Sequence, residues 1–366
     1  MKKVIHVITT ISRGGAENQL LTLAHEQITG GWNVSVLYLK DSPDLIEDFR
    51  GIGVEVITDC ANYSVISQIL WLRIYFMKYK GIIHAHLPRA ELLTALAARK
   101  HSFVISRHNA EGFFPTAPAK ISSLLSRFVT RRARAGIAIS KAVEIYIKSR
   151  NEISKTCDIT VIHYGFENKI RASNLQQLNR SDINLNDNDY VFGTVGRIVP
   201  QKDYPTLLTA FSAIFEKREE YKLLIIGDGY LKEEMKELAF KLRISTNVIW
   251  LGRTDRIIET LKLMDCFVLA SSYEGFGLVL LEAMSARIPI IASNISAIPE
   301  VLGSEHPLLS IAGDSGDFAN KMSKIISFST DELSTLLDFQ SKKLNKFDPF
   351  LMNKSIEKIY SLIGSI

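Results

Sequence analysis

The sequence predicts an α/β fold with two doubly wound parallel sheets in series, and three observations lead to this prediction. Short runs rich in β-branched residues alternate with helical apolar patterns, as in parallel strands that crossover helices connect. The polar stretch 166–189 interrupts this alternation, which then restarts. A chain of 366 residues also has the length of about two domains.

Each half of the chain carries its own set of predicted strands. The strands of the first half are predicted at 4–9, 33–39, 54–58, 81–86, 102–106, 135–140 and 159–164. Those of the second half are predicted at 190–195, 221–227, 247–252, 266–271 and 288–293. Helical patterns lie between them, for example at 17–28, 66–79, 230–242 and 257–264.

This alternation sets the predicted domain organisation. We predict a first domain at 1–165, a linker at 166–189, a second domain at 190–345 and a last amphipathic helix at 346–366 that crosses back to the first domain. Ligands of open α/β sheets bind at the carboxyl ends of the strands. Two such edges that face each other would form a deep interdomain cleft.

The composition indicates a globular protein of a reducing compartment. The chain is 46% hydrophobic and 23% charged, and no apolar run reaches the roughly 18 residues of a membrane-spanning helix. Its first residues predict a strand rather than a signal peptide. Cys60, Cys157 and Cys266 are widely separated, which argues against a disulfide framework and a Cys-x-x-Cys metal site. A cytoplasmic location is therefore expected.

The charge of the chain is uneven. Residues 1–180 hold 24 Lys and Arg against 14 Asp and Glu, a net charge of +10, whereas residues 181–366 hold 20 against 25, a net charge of −5. The first half therefore suits an anionic partner, unless the asymmetry is only a drift in surface composition. Nucleic acid is not expected as that partner, because no nucleic-acid-binding module accompanies the charge.

Two segments of the basic half, 69–80 and 120–135, mix apolar and basic residues. A basic amphipathic helix can rest on an anionic membrane surface. The predicted membrane-contact residues are Arg127, Phe128, Arg131, Arg132 and Arg134. The alternative is an ordinary helix whose apolar side, with Ile121 and Leu124, faces the core and whose basic side is solvated.

Two loops that follow predicted strands carry candidate anion ligands. Gly14 and Gly15 come directly after the first strand and begin a helix, so their amides can approach a phosphate or a sugar closely. They do not form the Gly-x-Gly-x-x-Gly pattern that a dehydrogenase needs. Arg197 and Lys202 follow the first strand of the second half, where both cations can fold over one diphosphate.

The segment SSYEGFGLVLLEA at 271–283 places two carboxylates beside a helix N-terminus. The amides of Phe276, Gly277 and Leu278 lie where that helix begins and can bind the same diphosphate. Glu282, about one turn further, can accept from two ribose hydroxyls, and Glu274 can accept from sugar hydroxyls. An interaction of Glu282 with the helix dipole alone would not explain both carboxylates.

These motifs resemble the retaining GT-B glycosyltransferases of family GT4. The resemblance rests on Gly-Arg-x4-Lys-Asp at 196–203 followed by Glu-x7-Glu at 274–282. Further segments line up at 13–17, 226–229, 251–255, 265–277 and 288–302, so it covers nearly the whole chain. It implies two Rossmann-like domains that face a cleft, and transfer of a sugar from a nucleotide-sugar donor with retained anomeric configuration.

The resemblance also implies roles for the second-half residues. Arg197 and Lys202 would clamp the phosphates, Glu282 would bind the ribose and Glu274 the donor sugar. Arg253 would lie near the base. No metal or other cofactor is implied, because cationic side chains and helix amides neutralise the leaving diphosphate.

In the first half, the resemblance points to His108, which would lie near the reacting sugar. It is preferred over His84 and His86, and both a direct catalytic role and a positioning role remain open. The predicted catalytic residues are His108, Glu274, Arg197 and Lys202. Glu274 is not assigned as a nucleophile, because same-face attack within an ion pair explains retention.

Three positions depart from the family pattern. His163-Tyr164-Gly165 stand where Pro-Asn-Gly is common, Ser296-Ala297 stand where Gly-Gly is common, and Arg287 stands where Gly is common. None of these residues belongs to the predicted phosphate clamp. They therefore bear on donor identity rather than on activity.

The sequence thus predicts a metal-independent retaining glycosyltransferase at the inner face of the cytoplasmic membrane. By resemblance, it would move a sugar from a UDP-sugar to a polyprenyl-diphosphate-linked glycan, in the synthesis of a bacterial O-antigen, capsule or exopolysaccharide. A GT-B epimerase or phosphorylase would share the clamp, as would a catalytically silent nucleotide-sugar-binding protein. An epimerase acts without acceptor, a phosphorylase needs phosphate, and a silent protein binds without turnover.

Overall fold

The computed structural model describes residues 2–41, 43–99, 101–167, 178–215, 218 and 220–363. The chain divides into two compact units. The first comprises Met1–Glu167 and Phe347–Ile366, and the second comprises Asn168–Lys346. The end of the chain therefore belongs to the same unit as its beginning.

The first unit contains a seven-stranded parallel sheet. Its strands are β1 Lys3–Ile8, β2 Asn33–Tyr38, β3 Glu55–Ile57, β4 Ile82–His86, β5 Phe103–Arg107, β6 Ala135–Ala138 and β7 Asp158–Val161. In space they follow the order β3-β2-β1-β4-β5-β6-β7, and all neighbouring pairs are parallel. The order reverses between β1 and β4, and ligands of such sheets bind at this kind of switch point.

Helices cover both faces of the first sheet. They are α1 Gly15–Thr29, α2 Ile46–Gly51, α3 Val65–Lys78, α4 Pro88–Ala97, α5 Ala119–Arg132 and α6 Lys141–Ser149, together with α14 Pro349–Ile363 near the end of the chain. One apolar core joins the sheet to α1, α2 and α14. A second core joins it to α3, α4 and α5.

The second unit contains a six-stranded parallel sheet of order β10-β9-β8-β11-β12-β13. Its strands are β8 Tyr190–Val195, β9 Tyr221–Ile226, β10 Val248–Gly252, β11 Cys266–Leu269, β12 Ile290–Ser293 and β13 Leu309–Ser310. Its helices are α7 Tyr204–Phe215, α8 Lys232–Lys241, α9 Ile257–Leu261, α10 Leu278–Ser285, α11 Ile298–Leu302, α12 Ser315–Ile326 and α13 Thr330–Leu344. Here the order reverses between β8 and β11, so the switch point lies at the ends of these two strands.

Each strand that the sequence predicts is present in these sheets. The strand β13 lies outside the prediction, because its two residues cannot show an alternating pattern. Serine caps explain several helix starts. Ser64 accepts from the amide of Ser67 at α3, and Ser329 forms a reciprocal capping box with Glu332 at α13.

The polar segment 166–189 contributes to both units. Phe166 donates its amide to the carbonyl of Phe347, 2.7 Å away, within the first unit. Residues 168–177 lie outside the described residues. Beyond them, a 3₁₀ turn at Arg180–Ile183 belongs to the second unit, and the Arg180 guanidinium lies 2.8 Å from the carboxylate of Asp265.

None of the helices in the described part of the chain has both the length and the apolar composition needed to cross a bilayer.

The docking of α14 on the first unit gives a stability prediction. Ile356 is 4% exposed in the core beside α1, whereas Leu362 on the same helix is 76% exposed. We expect Ile356→Ala to lower the free energy of unfolding by about 2–5 kcal/mol, because it leaves a cavity in a packed core. Leu362→Ala is the matched control and should change it little. Urea denaturation measures both, and equal small effects would contradict packing of this helix face.

Candidate functional site

Two loops of the second unit meet at the switch point of its sheet. The first follows β8 and contains Gly196, Arg197 and a 3₁₀ turn at Pro200–Lys202. The second follows β11 and leads into α10. Gln201 connects them, because its carbonyl accepts from the amide of Ser272 at 2.8 Å and its side chain donates to the carbonyl of Tyr273 at 3.0 Å.

Gly196 and Gly227 allow close packing around the loop after β8, against the Lys202 side chain and against the backbone. A Cβ atom at Gly196 would lie 3.0 Å from Cε of Lys202. Gly227, which follows β9, has a φ of +138°, and a Cβ there would lie 2.0 Å from the carbonyl oxygen of Gly196. Only glycine fits at Gly227, so this turn fixes the path of the loop after β8.

Lys202 and Glu274, both predicted site residues, form an ion pair. Lys202 Nζ lies 2.6 Å from Glu274 Oε1, and the two side chains are 15% and 8% exposed. Ser271 donates to the same carboxylate oxygen at 2.7 Å. The site therefore holds a nearly buried charge pair, and such pairs are stable only when hydrogen bonds complete them.

Ser296 supports Glu274 from the backbone side. Its hydroxyl donates to the carbonyl of Glu274 at 2.8 Å. Its φ of 55° lies in the left-handed region, which costs most residues about 1–2 kcal/mol. Arg287 also has a φ of 55°. Both departures from the family pattern therefore fall where the backbone suits glycine, and at Ser296 the side chain adds a hydrogen bond to the site.

The helix α10 begins beside this pair. Gly277 is its N-cap with a φ of 89°, and Leu278 is its first residue. Phe276 is 2% exposed and anchors the turn in the core. The predicted amides thus lie at the positive end of a helix of eight residues.

Glu282 lies on α10 in a desolvated position. Burial raises the pKa of Glu282 from its ordinary 4.5 to about 7, although the positive charge of Lys202 acts in the opposite direction. A carboxyl group in such a position accepts or donates hydrogen bonds near neutral pH, according to its protonation.

Arg197 and Arg253, the other predicted cations, are exposed. They follow β8 and β10, so they share the carboxyl edge of the sheet with Lys202 and Glu274. The structure thus brings Lys202, Glu274 and Glu282 together. The sequence analysis missed the direct pairing of Lys202 with Glu274 and the contribution of Ser271.

In the first unit, the register between β1 and β4 places three histidines next to one another. His6 on β1 is the register partner of His84 on β4, and Ile8 is the partner of His86. Side chains alternate along a strand, so His84 and His86 point to the same side of the sheet as His6. All three are at most 2% exposed.

A continuous hydrogen-bonded chain joins these histidines to His108. His6 Nε2 lies 2.8 Å from Gln27 Oε1, and its Nδ1 lies 2.9 Å from His86 Nε2. His86 Nδ1 lies 3.2 Å from His108 Nε2, and His108 Nδ1 bonds the hydroxyl of Tyr164. Sequence reasoning selected His108 but missed Gln27 and Tyr164.

A second branch runs through His84. Its Nδ1 lies 2.7 Å from the hydroxyl of Tyr360 on α14, and its Nε2 lies 2.8 Å from the hydroxyl of Ser106. Gln27 Nε2 donates to the same Tyr360 hydroxyl at 3.5 Å. Both branches therefore meet at Gln27.

Burial keeps this cluster neutral. It lowers the pKa of His6 to about 4 and that of His108 to about 3. The pKa values of His84 and His86 are lowered too, by burial and by the neighbouring histidines. At neutral pH each ring therefore carries one proton and has one donor and one acceptor nitrogen.

Ring nitrogens of His6, His84 and His86 lie within 4.8 Å of one another, a spacing that could hold a metal ion. Each of their nitrogens already has a hydrogen-bond partner, however. A cation would have to replace several of these bonds, so the arrangement fits a hydrogen-bonded chain better.

His108 also lines a cavity of about 300 Å³ within the first unit. Arg107 in its wall pairs with Glu91, with 2.9 Å between Nε and Oε2, and with Glu152 at 3.5 Å. Leu87, which follows His86 and also lines this cavity, has φ 70° and ψ 149°, a strained combination for a non-glycine residue. Such strain is often found at functional sites.

Gly14 and Gly15 lie at the start of α1 in the first unit. Gly14 is the N-cap, and a Cβ there would lie 2.4 Å from an oxygen of Glu17. Glu17 also accepts from Thr10 at 2.9 Å. The glycine thus makes room for a carboxylate of the chain itself, and its assignment to the nucleotide-sugar remains a prediction.

Comparison with known proteins identifies the class and then the family. The fold matches the Anabaena Alr3699/HepE protein, solved in complex with UDP and glucose, with a TM-score of 0.83, 20% identity and coverage of 99% of this chain and 100% of that one. It also matches a sucrose-phosphate synthase of Thermosynechococcus elongatus, with a TM-score of 0.81, 19% identity and coverage of 99% of each chain. The fold is therefore that of the GT-B class.

Residues 13–168 match Glycosyltransferase Family 4, and residues 176–336 match Glycosyl transferases group 1. An uncharacterized glycosyltransferase of Methanocaldococcus jannaschii, MJ1607, is 32% identical over 80% of each chain. The capsular polysaccharide biosynthesis glycosyltransferase CapM of Staphylococcus aureus is 28% identical over 83% of this chain and 82% of its own. The chain belongs to the group 1 glycosyltransferases of family GT4.

A UDP-Gal:alpha-D-GlcNAc-diphosphoundecaprenol alpha-1,3-galactosyltransferase of Escherichia coli is 28% identical over 83% of this chain and 81% of its own.

The raised pKa of Glu282 predicts how stability depends on pH. The folded state binds this proton more tightly than the unfolded state, whose carboxyl has its ordinary pKa of 4.5. Protonated Glu282 therefore contributes its full share to the free energy of unfolding below about pH 4.5, and this contribution is lost as the pH rises through about 7. Glu282→Gln should therefore gain stability relative to the native chain between pH 5 and 8.

Urea unfolding at several pH values measures this difference. Exposed Glu237 on α8 supplies the control, and Glu237→Gln should give the same pH profile as the native chain. A constant difference between Glu282→Gln and the native chain would show that this carboxyl is not perturbed.

Proposed function

We propose that this glycosyltransferase transfers a sugar, with retention, from a UDP-sugar to a polyprenyl-diphosphate-linked glycan. One observation carries the proposal: the Lys202–Glu274 pair lies at the carboxyl edge of the second sheet, next to the start of α10. An ammonium and the backbone amides at the start of a helix, close together, suit a diphosphate. The carboxylate beside them suits the hydroxyls of the sugar that the diphosphate carries.

The chemistry follows from these groups. Departure of UDP develops negative charge on the diphosphate, and Lys202, Arg197 and the amides of α10 stabilise it. Glu274 accepts from a donor-sugar hydroxyl, and Glu282 accepts from the ribose. Arg253 lies by the base. The acceptor attacks the face that the phosphate leaves, and the phosphate oxygen takes the acceptor proton, so neither a protein nucleophile nor a metal is needed.

Relatives support the donor and the acceptor class. One relative is named for UDP-Gal and a diphosphoundecaprenol acceptor, and one matching structure holds UDP. Other relatives are named for capsular polysaccharide and lipopolysaccharide core biosynthesis. We accordingly propose a role in bacterial surface polysaccharide synthesis, with the acceptor bound in the first unit near His108.

The rival functions differ in what they consume. An epimerase would convert the UDP-sugar without an acceptor, and a phosphorylase would require inorganic phosphate. A silent binding protein would bind UDP-sugars without turnover. Incubation of the protein with UDP-sugars, with and without a lipid-linked acceptor or phosphate, separates the four cases by product.

The predicted clamp can be tested by ligand-induced stabilisation. UDP should raise the melting temperature of the native chain, with or without EDTA, and GDP or ADP should raise it less. Arg197→Ala should leave the ligand-free melting temperature unchanged, because this side chain is exposed. It should weaken UDP binding about 10- to 100-fold, since a hydrogen bond to a charged group contributes about 1.5–3 kcal/mol.

Lys202→Met should weaken UDP binding similarly but also lower the ligand-free melting temperature, because it leaves the Glu274 carboxylate buried without its cation. Exposed Lys241 on α8 supplies the control variant Lys241→Ala. If UDP raised the melting temperature equally in all variants, Arg197 and Lys202 would not bind the diphosphate. No shift by any nucleotide in the folded native chain would favour the silent binding protein.

We also propose that the first unit rests on an anionic membrane through α3 and α5. Four large apolar side chains on α3 are 54–72% exposed, namely Ile66, Leu70, Ile74 and Met77. Their spacing places them on one face of the helix. Exposed apolar faces of this kind mark interaction sites.

The helix α5 adds the basic part of this surface. Its apolar residues Ile121, Leu124 and Phe128 are 39–66% exposed, and its buried side consists of Ser122, Ser126, Val129 and Thr130. The exposure of Ile121 and Leu124 favours the membrane proposal over the alternative in which they face the core. Exposed arginines flank the apolar residues, namely Arg127, Arg131, Arg132 and Arg134. Since α4 packs against both α3 and α5, the two helices lie on the same side of the sheet.

Vesicle flotation tests this surface. The native chain should float with phosphatidylglycerol vesicles at low salt and less with zwitterionic vesicles. Arg127→Gln/Arg131→Gln should weaken binding roughly 30-fold, at about 1 kcal/mol per cation near the surface. Leu70→Ser/Ile74→Ser should weaken it by reducing the inserted apolar area.

The control is Phe240→Ser, which removes a 76% exposed aromatic side chain from α8 of the second unit. It should float like the native chain. Equal binding of all variants to both kinds of vesicle would overturn the membrane proposal.

A further inference from the structure

In the hydrogen-bonded chain of the first unit, each histidine ring donates towards Gln27 and accepts from the side of Tyr164. We propose that Gln27 is a positioning residue that fixes the ring tautomer of His108 through His6 and His86. The assignment of the tautomer depends only on the contacts of these side chains. Its link to sugar transfer rests on the proposed function of His108 beside the reacting groups.

The direction is set at Gln27. Its carbonyl oxygen can only accept, so His6 Nε2, 2.8 Å away, must carry the proton. In this orientation of the amide, Gln27 Nε2 donates to the hydroxyl of Tyr360 at 3.5 Å. A neutral His6 with its proton on Nε2 has an acceptor at Nδ1.

The proton positions then follow one after another. His86 Nε2 must donate to His6 Nδ1, 2.9 Å away, so His86 Nδ1 is an acceptor. His108 Nε2, 3.2 Å from that acceptor, must donate to it. His108 Nδ1 is then the acceptor for the hydroxyl of Tyr164. One amide on α1 thereby determines which nitrogen of His108 carries the proton.

This direction restricts what His108 can do. Both its nitrogens are engaged, and a free acceptor nitrogen for a substrate is obtained only at Nδ1, when Tyr164 turns away. The proton cannot move to Nδ1 without a concerted reversal through His86 and His6, which the Gln27 carbonyl opposes. His108 therefore acts as an oriented hydrogen-bonding group whose acceptor side faces Tyr164.

Nitrogen NMR of the full chain labelled at histidine tests the proposal. The chain has eight histidines, and His108→Gln identifies the signals of His108. In the native chain, Nε2 of His108 should show the shift of a protonated nitrogen and Nδ1 that of an unprotonated one. Spectra in EDTA ensure that no metal ion holds a tautomer.

Two variants show whether Gln27 or Tyr164 fixes the tautomer of His108. Gln27→Met removes the acceptor of His6 and should give His108 a measurable population protonated at Nδ1. Tyr164→Phe should leave His108 protonated at Nε2, because the chain is polarised from the other end. A matched control is Gln340→Met in the second unit, which removes a glutamine from His306, 3.2 Å away, and should leave His108 unchanged.

Three results would overturn the proposal: a native His108 protonated at Nδ1, an unchanged His108 in Gln27→Met, or a reversed His108 in Tyr164→Phe. The native spectrum and the Tyr164→Phe spectrum decide the question even if Gln27→Met does not fold. In turnover, Gln27→Met should lose kcat with an unchanged KM for the UDP-sugar. Absence of UDP-sugar turnover in a native chain with the expected tautomer would sink the proposed function and leave the tautomer assignment intact.

Discussion

Both faces of a parallel sheet are covered by helices, so a polar side chain on an inner strand must find its hydrogen-bond partners within the protein. The first unit of this chain meets that constraint with histidines on β1, on β4 and directly after β5 that bond one another on one side of the sheet. The second unit meets it at the end of β11, where Lys202 and Ser271 both bond the Glu274 carboxylate. The histidines of the first unit and the Glu274 carboxylate of the second unit thus each belong to a hydrogen-bonded group, and a change in one member affects its partners.

The pairing of Lys202 with Glu274 affects how the second unit would bind a ligand. Lys202 is held by Glu274 before any anion arrives, so a phosphate group would share or replace a partner that is already present. The ammonium is oriented in advance, which reduces the reorganisation needed when negative charge develops on the leaving group. Exposed Arg197 lacks such a restraint and suits a group that closes on the ligand after it binds.

The sequence predicts the strands of both sheets, but it does not predict which polar side chains bond one another. Strands such as β4 and β11 are visible because their apolar runs are local, and Lys202 and Glu274 are recognisable because their spacing from strand ends is local too. The chain from Gln27 to Tyr164 depends on the register between β1, β4 and β5, and no local pattern encodes a register. The outward side of α5 is ambiguous in the sequence, because three of the four residues on its buried side are serine or threonine. The left-handed backbone at Ser296 and Arg287 is likewise hidden, since neither residue type signals it.

The placement of α14 on the first unit bears on how the chain is made. Domains usually fold in the order in which they leave the ribosome. Here α14, which follows the second unit in the chain, completes the first unit, whereas the second unit is one continuous segment. Its strands can pair while the core beside α1 still lacks Met352, Ile356 and Tyr360. Apolar side chains of α1 such as Leu20 and Leu23 therefore stay uncovered on the nascent first unit until α14 has been synthesised and has docked.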